Sequence, residues 1–150
     1  MKDKKDAVIL LAEDDIADQE LTKRALEACK IDNQLFIVND GEEALDYLYR
    51  RNRYADPATS PTPDLLLLDL NMPKLNGFQV LETLKQDPVL KLIRIIVLTT
   101  SNQEQDILKS YSYGVASYIS KPIDSGDFFR VISELNEYWF RIVKLPPKER

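Results

Sequence analysis

Histidine is absent from this chain of 150 residues, and cysteine occurs once, at Cys29. The first absence removes the side chain that most often moves protons near neutral pH and most often ligates transition metals. The second excludes an intramolecular disulfide and suits a reducing compartment. Long apolar runs are also missing, since none approaches the roughly 20 residues needed to cross a bilayer. The opening stretch "MKDKKDAVILLAEDD" does not have the shape of a secretory signal, because its apolar run is short and ends in acids. The expected setting is cytoplasmic, with no membrane partner. A basic excess is lacking as well: 20 Lys and Arg stand against 25 Asp and Glu, and the net charge of −5 argues against a nucleic-acid partner. Any chemistry must run on carboxylates, hydroxyls and lysine.

Apolar residues make up 44% of the chain, enough for a sizeable core. They are concentrated in "AVILLA" (Ala7 to Ala12), "LFIV" (Leu35 to Val38), "LLLL" (Leu65 to Leu68), "IIVL" (Ile95 to Leu98) and "VASYI" (Val115 to Ile119). Most of these runs are continuous rather than alternating, the pattern of parallel strands covered on both faces. Amphipathic segments lie between them, at about Ile16 to Cys29, Glu42 to Arg51, Gly77 to Gln86, Gln103 to Tyr113 and Ser125 to Val143. Asp15 is placed to cap the first helix, and Ser101 or Asn102 the fourth. Five βα units predict an α/β fold, a doubly wound sheet with helices on both sides. "RNRYADPATSPTPD" (Arg51 to Asp64) is long for a helix-to-strand connection and reads as a surface loop. Cys29 reads as a small core residue of the first helix, and Asp64 as a loop acid.

In doubly wound folds the sites form at the carboxyl ends of the strands. That rim carries Glu13 and Asp14 after the first strand, Asp69 after the third, Thr99 after the fourth and Lys121 after the fifth. Crowded carboxylates raise one another's pKa or recruit a cation, and an all-oxygen set without His or Cys suits Mg²⁺ or Mn²⁺. Asp69, presented at the end of four leucines, could then attack phosphorus as a carboxylate nucleophile. The metal and Lys121 would hold the charge on the phosphoryl oxygens, with a hydrogen bond donated by Thr99.

Four stretches in order, "LLAEDD", "LLLLDLNMPKLNGFQVL", "IIVLTTS" and "SYISKPI", resemble the receiver domain of two-component response regulators. Thr99 follows Asp69 by 30 residues (99−69) and Lys121 follows it by 52 (121−69), spacings that agree with that family. The resemblance implies a flavodoxin-like five-stranded parallel sheet in the order 2-1-3-4-5. It implies one receiver domain over 1–150, with its core at about 7–140 and a tail at 141–150. It further implies that Asp69 is the phosphoacceptor and that Glu13, Asp14 and Asp69 hold the metal with the backbone carbonyl of Asn71. In the same way Thr99 and Tyr118 are implied to form a switch, Lys121 to pair with the phosphoryl group, and Lys121-Pro122 to be a cis peptide. Gly77 matches a family glycine at a place where a permissive backbone is useful. Glu13 stands where many members have Asp, and Thr100 replaces a smaller residue.

The long proline-containing loop and extended last helix are similar to small single-domain regulators that partner phytochrome-type histidine kinases. The implied function is transfer of a phosphoryl group from such a kinase to Asp69. Output then passes through a protein partner or onward to a phosphotransfer protein, with no turnover on other substrates. Two other functional classes would mark the first strand's end differently. Haloacid-dehalogenase enzymes place a D-x-D nucleophile there, and cofactor-binding flavodoxin-like modules place a Ser/Thr/Gly-rich phosphate loop; "EDDIAD" is neither. The last helix carries two apolar stripes, Phe129, Ile132, Trp139 and Val143 on one side and Phe128, Val131, Leu135, Tyr138 and Ile142 on the other. A surface helix needs only one such stripe for its own core, so the second predicts a homodimer contact.

Overall fold

The computed structural model describes residues 7–28, 33–100, 104–121, 124 and 126–131. Five strands, β1 (Ala7–Ala12), β2 (Asn33–Val38), β3 (Leu65–Asp69), β4 (Arg94–Thr99) and β5 (Ser117–Ser120), alternate with α1 (Ile16–Ala28), α2 (Gly41–Leu48), α3 (Gly77–Lys85) and α4 (Glu104–Ser112). Helical residues 126–131, here α5, follow β5. All pairings are parallel and the strand order is β2-β1-β3-β4-β5, as the family resemblance implied.

The period of two along each strand divides the core into two layers. Leu10, Ala12, Leu66, Leu68, Ile95 and Val97 face one side, where they meet Ala44, Leu45 and Leu48 of α2 and Val80, Leu81 and Leu84 of α3. Ile9, Leu11, Leu65, Leu67, Ile96, Leu98 and Ile119 face the other, against Ala25 and Leu26 of α1 and Phe128 of α5. Because both faces of the central strands β1, β3 and β4 are covered, their apolar runs are continuous.

Phe128 corrects one expectation. It is fully buried among Leu11, Ile119 and the α1 residues, so it belongs to the core and offers no contact surface. Val131 is half-buried and packs on the same cluster. The outward aromatic of α5 is Phe129, 49% exposed. Leu135, Tyr138 and Ile142, and with them Ile132, Trp139 and Val143, lie outside the described residues, as do Cys29, Ser101, Asn102 and Pro122.

Helix boundaries follow local capping. Asp15 caps α1 as expected, its Oδ1 accepting the Asp18 N–H at 3.0 Å. Asp40 caps α2 through the Glu43 N–H, and Asn76 and Gln79 close a reciprocal capping box on α3. α2 stops at Leu48, earlier than its pattern suggests, where Arg50 and Asn52 adopt positive φ values of 55° and 56°. The 51–64 connection is tied down more firmly than a plain surface loop. Tyr47 donates to the Pro61 carbonyl at 2.7 Å, Arg50 to Thr62 at 2.9 Å, and Tyr54 to the Glu43 carboxylate. Asp64 is not a solvated loop acid: its Oδ2 accepts the Val8 N–H at 2.8 Å while its own N–H donates to the Val8 carbonyl at 2.7 Å, closing the start of β1.

Candidate functional site

The pleat decides which rim residues meet. Glu13 continues the line of Ile9 and Leu11, Asp69 that of Leu65 and Leu67, and Lys121 that of Ile119. All three therefore fall on the α1 side of the sheet. Backbone bonds beyond the strand ends hold them in register: Glu13 N–H donates to the Val38 carbonyl at 3.0 Å, and Lys121 N–H to the Thr99 carbonyl at 2.8 Å. Thr99 and Tyr118 continue the opposite line. Thr99 is fully buried, and Tyr118 packs partly buried against the α2–α3 layer.

Lys121 Nζ lies 2.6 Å from Glu13 Oε1, 2.9 Å from Asp18 Oδ2 and 3.2 Å from Asp69 Oδ2, with only 6% of its side chain exposed. The contacts to Asp18 and Asp69 are directed hydrogen bonds. That to Glu13 is a close ion pair of poor alignment, so Oε1, fully buried, accepts no well-formed hydrogen bond. Glu13 Oε2 accepts the Asp15 N–H at 3.1 Å, and Asp69 Oδ1 the Asn71 N–H at 3.1 Å. The Asn71 side chain donates to Thr99 Oγ1 at 3.1 Å, joining β3 to the hydroxyl at the end of β4. Thr100 is exposed.

One ligand oxygen each from Glu13, Asp14 and Asp69 can be chosen so that all lie within 4.8 Å of one another. Asp14 is exposed and the other two are buried. This set can hold a metal ion: three hard oxygen donors converge, and one buried oxygen lacks a proper donor. Burial pushes the Glu13 carboxyl up to about 7, against the nearby Lys121. Burial likewise raises Asp69, opposed by the Asn71 N–H and by Lys121. Burial would lower Lys121, but the carboxylates of Glu13, Asp18 and Asp69 outweigh it and hold the ammonium above its usual range. The raised ammonium reports the negative field of these carboxylates, the same field that a divalent cation would meet.

The sequence-expected residues Glu13, Asp14, Asp69, Thr99 and Lys121 thus come to one rim. Two further residues were not foreseen. Asp18 reaches Lys121 from the first turn of α1. Gln19 Nε2 donates to the Glu13 carbonyl at 2.6 Å and to Asn39 at 3.0 Å, fixing the β1–α1 turn. The only signal for either was position in the first helical turn after a capping aspartate.

Known proteins place this arrangement. The family described as "Response regulator receiver domain" matches residues 9–133. Response regulator Rcp1 of Synechocystis sp. is 41% identical over 139 residues, which is 93% of this chain and 92% of that protein. The solved Mn(2+)-bound form of Rcp1 superposes with a TM-score of 0.77 at 40% identity, covering 94% of this chain and 99% of the other. The phosphorylated cyanobacterial phytochrome response regulator RcpA does so with a TM-score of 0.77 at 39% identity, covering 91% and 95%. With its strand order, its rim of acids and these likenesses in agreement, the chain belongs to the response regulator receiver domain family, whose work is phosphorylation-dependent two-component signalling.

Proposed function

We propose that Asp69 is the phosphoacceptor of this chain, that Glu13, Asp14 and Asp69 hold Mg²⁺ or Mn²⁺ together with the Asn71 carbonyl, and that a phytochrome-type histidine kinase is the donor. The observation that carries this reading is the meeting of three carboxylates within 4.8 Å with Lys121 at 2.6 and 3.2 Å from two of them. A bound divalent cation would neutralise the acids and stabilise charge on the phosphoryl oxygens. The chain's own residues do the rest. β3 presents the Asp69 carboxylate rigidly, and the Asn71 N–H orients it through Oδ1. An Asp69 oxygen forms the O–P bond as the P–N bond of the donor's phosphohistidine breaks, and the imidazole leaves with the bonding pair. Lys121 pairs with a phosphoryl oxygen. Thr99 gives up its contact with Asn71 to donate a hydrogen bond, and Tyr118 follows on the same face of the sheet. The moved surface then engages a protein partner or a phosphotransfer protein.

The likeness to Rcp1 and RcpA supports the phytochrome-type partner. Cytoplasmic placement accords with the lack of a membrane-crossing helix among the described residues. A homodimer remains part of the reading, with exposed Phe129 in place of buried Phe128 as the α5 aromatic available to it. The test is incubation with Mg²⁺ and acetyl phosphate, followed by intact mass. Wild type gains one phosphoryl group and Asp69→Asn gains none; equal labelling of the two refutes the assignment.

A further inference from the structure

Lys121 has two directed hydrogen bonds, and the shorter one goes to Asp18 rather than to Asp69. Asp18 is itself fixed. Its N–H donates to the Asp15 cap, its carbonyl accepts the buried Thr22 hydroxyl at 2.9 Å, and its carboxylate sits in the first turn of α1, where the helix dipole favours negative charge. The three carboxylates around Lys121 are not equivalent during the reaction. Glu13 belongs to the cluster proposed to hold the metal, and its Oε1 contributes no well-aligned hydrogen bond to the ammonium. Asp69 loses charge and an acceptor oxygen when it is phosphorylated. Asp18 is outside the converging metal set and does not react.

We propose that Asp18 is a positioning residue for Lys121: it tethers the ammonium from α1 so that one N–H stays aimed at the Asp69 side while the metal and the phosphoryl group take over the other two carboxylates. This rests on the phosphoacceptor reading of Asp69. The tether also accounts for how little of the Lys121 side chain, 6%, is exposed. Without Asp18 nothing on α1 opposes Glu13, already the closest carboxylate at 2.6 Å, and the ammonium would follow it toward the metal side.

The test compares wild type, Asp18→Ala, Asp18→Asn, Lys121→Ala and the double variant Asp18→Ala/Lys121→Ala. Initial labelling rates with Mg²⁺ and acetyl phosphate are read by intact mass, and Mg²⁺ affinity by calorimetry. Asp18→Ala slows labelling about tenfold or more, the size of a lost charge-assisted hydrogen bond. Asp18→Asn, which keeps an acceptor oxygen, falls between. In the Lys121→Ala background the Asp18 substitution changes the rate by less than about twofold, because the two residues act as one unit. Mg²⁺ affinity changes by less than about threefold, well short of a lost metal ligand. An unslowed Asp18→Ala, equal slowing with and without Lys121, or a parallel collapse of Mg²⁺ affinity overturns the proposal. If Asp18→Ala fails to fold, Asp18→Asn carries the same comparison. A wild type that takes no phosphoryl group overturns the Asp69 reading and this one with it, whereas a labelled wild type beside an unslowed variant overturns this one alone.

Discussion

Gly77→Ala tests how tightly the fold fixes the candidate nucleophile. A Cβ at position 77 would lie 2.7 Å from the Asp69 carbonyl oxygen, 2.6 Å from Leu70 Cα and 2.8 Å from Leu70 Cδ2, where ordinary contact begins at 3.4 Å. The nearest atoms are backbone, and the Asp69 backbone is part of β3, held between β1 and β4. α3 must therefore move away by about 0.7 Å or more, or β3 must give at the residue that carries the reaction. Overpacking of this kind costs up to about 3 kcal/mol, and roughly 1 kcal/mol returns because alanine loses less backbone entropy in a helix than glycine. The net loss of about 2 kcal/mol lowers Tm by ~4–8 °C in a domain of this size. Misplacing a nucleophile by a fraction of an ångström also slows transfer, here by about tenfold or more. Thermal melts and acetyl phosphate labelling measure both effects. Gly114→Ala is the control. Its φ of +83° makes alanine strained, but no atom lies within 4 Å of its Cβ, so stability falls and labelling does not. Unchanged stability and labelling in Gly77→Ala would refute the close-packing argument.

Two other outcomes follow from the same geometry. Asp69→Asn should raise metal-free stability at neutral pH while abolishing labelling, because burial disfavours the charged carboxyl. The sign follows from the raised folded-state pKa: the wild type is relatively more stable below the ordinary carboxyl range and loses that advantage as pH rises through the folded value. The gain of Asp69→Asn must therefore grow with rising pH, and a gain largest in acid would contradict it. Asp64→Ala leaves the Val8 N–H without its carboxylate acceptor and should cost about 1–3 kcal/mol in chemical denaturation, with labelling intact; an unchanged midpoint would show that this bond contributes nothing.

Much of the fold was legible because the relevant signals are local. A strand covered on both faces needs apolar side chains at consecutive positions, so "LLLL" and "IIVL" announced themselves, and Asp15 advertised the start of α1. Asp40 and Asn76 are caps of the same kind, yet they stand among other turn-forming residues that mask them. Gly77 was legible only as a position where a permissive backbone is useful; the structure shows the specific need, space against Asp69 and Leu70.

The sequence alone determined that acids, a hydroxyl and a lysine stand at the carboxyl ends of strands, because each apolar run marks where its own strand stops. Tertiary structure alone decided which of them touch. The pleat sends Glu13, Asp69 and Lys121 to the α1 side and Thr99 to the other, and the packing of α1 brings in Asp18 from 103 residues away along the chain. It also decided that Phe128 faces inward and Phe129 outward, since a helix with two apolar stripes has no preferred face until a sheet covers one of them. Contacts between distant segments depend on the relative placement of whole elements, and no local pattern of residues encodes that placement.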